Sequence, residues 1–291
     1  MKKRSPMVFN YCKRAVLKML FFLCCICFAI TTAYAEDIRV MVSEVKETRT
    51  TGQFFAGLEL KLKILGDNIS DAKGLKPRIT KAVDDTGRNL LKDEDYKADF
   101  EKPDEQGQFE ITLKLKNPAR KATAIKEVTG EIEIFVPKYD PGATSVIKNF
   151  MAQTGKTVSD PTLKDAKVDI TVLTKEQFNK IKAEREKELK AQKEIGDAMV
   201  QLFGALFGGM MEMGENSVML NVKDEGKKVI VIEFTDESGK KIHTQATMTM
   251  GDVKVFEFDK PLPQKAQVMI FLATPKALIK TPFRLADIVL P

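Results

Sequence analysis

The amino-acid sequence predicts a mainly β chain built as two immunoglobulin-like β-sandwich domains, joined by a long charged α-helix and an apolar Gly/Met-rich segment. Three observations carry that expectation. Apolar and polar residues alternate from about residue 37 to 173, the period becomes helical at Thr174, and the alternation resumes at Ser217. The predicted boundaries are 1–35 for a cleavable signal peptide, 36–174 for the first sandwich, 175–214 for the helix and apolar segment, and 215–291 for a second, smaller sandwich.

The first 35 residues hold all four Cys (Cys12, Cys24, Cys25, Cys27), six basic side chains and no acidic one. A basic start, twelve apolar residues from Met19 to Ile30 and the small pair Ala33 and Ala35 make the three parts of a secretory signal. Twelve residues reach only about 18 Å as a helix, short of the roughly 30 Å of a bilayer core, so cleavage after Ala35 is expected rather than retention as an anchor. The rest of the chain balances at 41 basic against 41 acidic side chains. The formal +6 is therefore a property of the leader, and whole-chain attraction to nucleic acid has no basis. An exported chain without Cys must be held by apolar cores, and a periplasmic or secreted bacterial protein is the expected setting.

In the first β region, Leu58, Leu60, Leu62 and Ile64 alternate with Glu59, Lys61 and Lys63, and Phe109, Ile111, Leu113 and Leu115 alternate with Glu110, Thr112 and Lys114. These are strands with one buried face. Further runs at Ile38 to Val45, Ile79 to Val83, Glu131 to Val136 and Val168 to Val172 are separated by turn signals such as Asp85-Thr86-Gly87 and Asn117-Pro118. Short strands with spaced turns and no intervening helix point to a sandwich.

Thr174 followed by Gln177 is a capping box, and Lys175 to Glu194 carries seven basic and five acidic side chains, with Glu176/Lys180 and Glu186/Lys190 at i,i+4. That helix is expected to expose most of its surface, with a thin apolar stripe at Phe178, Ile181, Leu189 and Ile195 able to rest on a sandwich edge. Ala198 to Met213 follows, apolar nearly all round. Strands return at Ser217 to Val222, Val229 to Phe234, Lys241 to Met250, Val253 to Phe258, Val268 to Leu272 and Arg284 to Leu290. The second region echoes the first. Asp84-Asp85-Thr86-Gly87-Arg88 matches Asp236-Glu237-Ser238-Gly239-Lys240, and further matches pair Asn117-Pro118 with Thr274-Pro275 and Ile134 to Pro137 with Ile288 to Pro291.

Several chemistries lack their parts. After the leader the chain has one imidazole, His243, placed on the solvent face of its strand, so nucleophilic catalysis with a His base is not expected, and neither a catalytic residue nor a metal ligand is assigned. The acids Asp84, Asp85, Asp93, Glu94 and Asp95 lack the spacing of a Ca²⁺ loop and read as solvated turn acids. No cofactor is implied. What remains is Ala198 to Met213, where Phe203, Leu206, Phe207, Met210 and Met211 form the candidate contact surface and Gly204 and Gly208 leave a smooth face for close helix approach. Packing against the chain's own sandwiches, contact with another subunit or envelope protein, and contact with a membrane surface are the competing readings. The expected function is a non-catalytic exported interaction or structural protein. The alternatives are a carboxylate-dependent extracytoplasmic enzyme, such as a glycan hydrolase or its accessory domain, and periplasmic Cu(I) binding through Met.

Overall fold

The computed structural model describes residues 38–49, 56–92, 99–104, 107–191 and 216–291. Residues 1–35, expected from sequence to be a signal peptide, and the Ala198 to Met213 segment lie outside the described residues. The chain is mainly β. Its strands in order are β1 (Arg39–Thr48), β2 (Gly57–Leu65), β3 (Gly74–Asp84), β4 (Phe109–Leu115), β5 (Ala124–Phe135), β6 (Thr144–Lys148) and β7 (Asp169–Val172), then β8 (Ser217–Lys223), β9 (Val229–Thr235), β10 (Lys241–Ile242), β11 (Ala246–Met250), β12 (Val253–Glu257), β13 (Gln267–Leu272) and β14 (Leu278–Val289). The helices α1 (Pro161–Ala166) and α2 (Lys175–Ala191) flank β7 in sequence.

Among the described residues all sheet pairings are antiparallel and form four sheets, β1-β2-β4, β14-β5-β3, β11-β12-β8-β7 and β10-β9-β13-β6. The alternation read from the sequence is the burial pattern observed: β2 buries Leu58, Leu60, Leu62 and Ile64, and β4 buries Phe109, Ile111, Leu113 and Leu115. These side chains share one core with Ile125, Val128, Ile132 and Ile134 of β5 and Phe283 of β14, so the first two sheets pack face to face. The other two sheets enclose a second core around Phe234, whose ring meets Phe256 and Phe258 at 5.0 Å and Phe150 at 5.7 Å.

Membership of these two sandwich-like pairs does not follow the boundaries drawn from the sequence at 174 and 215. β6 and β7 precede residue 174 yet belong to the second pair, where they join β13 and β8. β14, at the C-terminus, belongs to the first pair and lies along β5. Strand β6 was absent from the sequence expectation, and the expected strand Lys241 to Met250 is two strands in different sheets, because the chain leaves β9 after Ile242 and joins β12 at Ala246.

The two pairs of sheets have the same internal plan. In the first, β1, β2 and β4 form one sheet and β3, β5 and β14 the other. In the second, β7, β8 and β12 correspond to the former and β9, β13 and β6 to the latter, with β10 and β11 as additional edges. The echo at the Asp-x-x-Gly turns is a structural identity. Asp84 Oδ1 accepts from the Thr86 N–H, the Thr86 hydroxyl and the Arg88 N–H at 2.9, 2.7 and 2.9 Å; Asp236 Oδ1 accepts from Ser238 N–H, its hydroxyl and Lys240 N–H at 2.9, 2.6 and 3.0 Å. Gly87 and Gly239 both sit at φ +86°, where a Cβ is strained. The later part of the echo is not an equivalence. Ile134 and Ile288 lie on β5 and β14, which are paired neighbours in one sheet rather than equivalent strands of the two sandwiches, and Asn117-Pro118 lies between β4 and β5 whereas Thr274-Pro275 links β13 to β14.

Helix α2 begins with the expected reciprocal capping box: Thr174 N–H donates to Gln177 Oε1 at 3.0 Å and Gln177 N–H donates to Thr174 Oγ1 at 3.1 Å. Phe178 is buried and Ile181 partly so, against Leu173, Met219, Val253 and Val255 on the outer face of β11-β12-β8-β7. Met248 and Met250 join that cluster, so this Met pair packs beneath the helix.

Candidate functional site

The two sandwiches meet at a small apolar junction. Phe135 and Leu278 from one side face Val231, Met269 and Phe271 from the other, with Phe100 against Phe135 at 6.4 Å between ring centroids. Ala143 and Ala277, each fully buried, stand where the chain crosses from one sandwich to the other. A charged clasp lies beside them. Lys73, next to β3, donates to both Glu233 carboxylate oxygens at 3.1 and 3.0 Å, Lys241 donates to the same carboxylate at 3.0 Å, and the Lys73 ammonium lies 5.3 Å from the Phe271 ring centre. Burial pushes Glu233 toward neutrality, but its bonds to Lys73 and Lys241 outweigh that and hold it below the ordinary carboxylate range. A carboxylate held ionised by two ammonium groups is suited to bridging and poorly suited to donating a proton near neutral pH.

A groove opens on each side of the junction. One, of about 810 Å³, is lined by Glu133, Asp165, Lys228, Leu272, Pro275 and Lys280; the other, of about 520 Å³, by Lys73, Pro137, Pro141, Glu233, Met269 and Phe271. The first gathers two carboxylates, of which Glu133 is paired with Lys280 at 3.4 Å. Each groove touches a crossing segment, 273–277 in the first and 136–143 in the second.

Of the residues singled out from sequence, Phe203, Leu206, Phe207, Met210, Met211, Gly204 and Gly208 lie outside the described residues, as do Asp93, Glu94 and Asp95. The place from which the apolar segment departs is described. β7 and β8 are adjacent paired strands, Val172 opposite Leu220, and everything from 173 to 216 is inserted between them. His243 is exposed. The turn acids are occupied by the protein itself. Besides its three donors on Oδ1, Asp84 accepts the Ala119 N–H at 2.8 Å on Oδ2, and Asp85 accepts the N–H and hydroxyl of Thr123. Burial acts to raise the Asp84 pKa, yet the donors from Ala119, Thr86 and Arg88 leave it lowered; Asp85 is lowered by Thr123. Among the described residues no three His, Cys, Asp or Glu side chains gather as a metal site. The chain matches no family model, no curated protein and no solved structure.

The junction was missed by sequence reasoning, although a signal for it exists. Asp140-Pro141-Gly142-Ala143 before β6 and Thr274-Pro275-Lys276-Ala277 before β14 share an x-Pro-x-Ala pattern, and in both the Ala N–H donates to the first residue's carbonyl, at 2.8 and 3.1 Å.

Proposed function

We propose that the chain is an exported, non-catalytic interaction protein: two immunoglobulin-like sandwiches fastened into one body that carries residues 198–213 on the charged helix as a contact surface for a partner protein, a second copy or a membrane surface. The insertion between β7 and β8 carries this reading. Adjacent antiparallel strands need only a short turn, and connections longer than about 12–15 residues are kept for function or are linkers. Here the chain between two paired strands runs from 173 to 216, starts with a reciprocally capped helix, and continues into the most apolar stretch outside the leader. The immunoglobulin-like assignment is supported by the sheet plan that the two sandwiches share, β1-β2-β4 facing β3-β5-β14 in one and β7-β8-β12 facing β9-β13-β6 in the other. The leader composition supports export.

The test is a Phe203→Glu/Phe207→Glu variant whose thermal transition matches the native chain. Reduced sedimentation with anionic or zwitterionic liposomes assigns a membrane surface, reduced oligomer mass by light scattering assigns a second copy, and loss of a cross-linked envelope protein assigns a partner. Unchanged behaviour in all three overturns the reading.

A further inference from the structure

The last strand of each sandwich is supplied by the other half of the chain. After β5 the chain does not turn back to pair with it. It crosses the junction through 136–143 and becomes β6, the edge strand beside β13; after β13 it crosses back through 273–277 and becomes β14, the edge strand beside β5. Two hairpins, β5 with β6 and β13 with β14, would be the local alternative, and three features of the strands favour the exchange. Lengths match across the exchanged pairs: β5 and β14 have 12 residues each, β13 and β6 have 6 and 5. Shapes match as well. Gly130 on the inward face of β5 stands opposite Phe283, and a Cβ at Gly130 would lie 3.1 Å from that ring and 2.4 Å from the Arg78 carbonyl oxygen, so the aromatic of β14 fills a space that β5 leaves open. Charges match too. β5 turns Glu127, Glu131 and Glu133 outward, and β14 answers with Arg284 on Glu127 at 2.7 Å and Lys280 on Glu133 at 3.4 Å, while β6 offers outward Thr144, Val146 and Lys148 over a much shorter span.

We propose that the β5 edge of the first sandwich is a strand-acceptor site for an extended peptide that alternates inward apolar with outward basic residues, and that β14 is the donor that fills it in cis. The inward set on the donor is Ile279, Phe283 and Leu285, all of which join the first core. A site of this kind takes its affinity from main-chain pairing and its selectivity from alternate side chains. Pro141 and Pro275 each sit second in a hydrogen-bonded turn of their crossing segment, and a Pro φ near −65° does not fit the positive-φ turns that close two-residue hairpins. The inference is independent of the role given to residues 198–213.

The experiment uses the full chain with Cys12, Cys24, Cys25 and Cys27 replaced by Ser. First, Thr129→Cys/Arg284→Cys joins two residues opposite each other in register and on the outward face; opposed pairs have Cα separations within disulfide range, so a monomeric intrachain disulfide is expected. Second, Thr129→Cys combined with Phe283→Asp/Leu285→Asp weakens the resident donor, and a peptide of residues 278–291 carrying Cys in place of Arg284 is added. Several-fold more disulfide adduct with this peptide than with a scrambled one of the same composition, with recovery of protease resistance in β2 and β5, is the expected result. As a parallel arm that does not depend on the double Asp variant folding, Thr129→Cys alone is refolded from denaturant in excess peptide, and the same preference for the native-order peptide is expected. Failure of the first variant to close overturns the pairing. Equal capture of native and scrambled peptides in both arms overturns the acceptor site.

Discussion

Reciprocal strand exchange predicts that damage in one sandwich is felt in the other. Phe283 is 9% exposed, and its ring fills the space over Gly130 in the first core. Buried Phe→Ala changes cost about 3–5 kcal/mol, and an edge-strand position with some exposure belongs near the lower end, about 3 kcal/mol. For a cooperative unit of this size, each kcal/mol moves Tm by roughly 2–4 °C, so Phe283→Ala should lower Tm by roughly 6–12 °C. The discriminating assay is hydrogen exchange followed by peptide mass spectrometry. If the exchanged strands make one cooperative unit, the slowest amides of β2, in the first sandwich, and of β13, in the second, both lose about 3 kcal/mol of protection, although Phe283 belongs to the first core and the buried β13 side chains to the second core and the junction. Native protection in β8, β12 and β13 alongside collapse in β2, β4 and β5 would show two units that open separately, and the coupling argument would be refuted.

Gly87→Ala and Gly239→Ala place a Cβ at the same φ of +86°, with open space around both, so each should destabilise by about 1–2 kcal/mol from backbone strain and the two urea midpoints should shift alike. Asp84→Ala should cost more than Asp236→Ala, because Asp84 is fully buried and also holds the Ala119 N–H, which would be left without its acceptor; equal midpoint shifts would contradict this. Thr174→Ala removes one half of the capping box and should cost about 1 kcal/mol, seen as faster exchange in the first turn of α2. Acid should destabilise the chain through its paired carboxylates. Lys81 and Arg284 hold Glu127 down from 4.5 to about 2, and Glu233, Asp84 and Asp236 are lowered as well. Their folded pKa values lie below the unfolded ones, so the unfolded state binds more protons in the interval. The stabilisation is complete above the ordinary carboxylate range and fades as pH falls from about 4.5 toward about 2. Urea midpoints measured across that interval should drop, and Glu127→Gln should flatten part of the drop.

What the sequence disclosed and what it withheld divide along a physical line. The alternation in β2 and β4 was legible because burial of one strand face is written in adjacent residues, and the Thr174/Gln177 cap because both partners sit within one helical turn. The Asp84 and Asp236 turns were legible as turns for the same reason, since the carboxylate, its Oδ1 donors and the positive-φ Gly span five residues, but Asp84 is fully buried rather than the solvated acid expected, because Ala119, 35 residues on, covers its other oxygen. Strand partnership is not local. β14 reads as an ordinary last strand of the second sandwich until its register places Phe283 over Gly130 and Arg284 near Glu127, pairings about 150 residues apart in the chain. The break after Ile242 was hidden because alternation continues across it while the chain changes sheets. β6 was hidden because Thr144–Lys148 has a single strong inward anchor, Ile147.

Part of the hidden order was nonetheless present as complementarity rather than as pattern. Three outward Glu on β5, a Gly on its inward face, and one strand elsewhere with bases and a Phe at matching steps specify β14 over β6 without any reference to sequence distance. The repeated x-Pro-x-Ala segments mark where the chain crosses, and both Ala residues are buried at the junction, where close packing penalises an added side chain. The same complementarity makes the exchange specific: a strand slipped by one residue would turn Lys280 and Arg284 into the first core and Phe283 into water, and one slipped by two would keep the faces but move Phe283 off Gly130 and the two bases off Glu133 and Glu127.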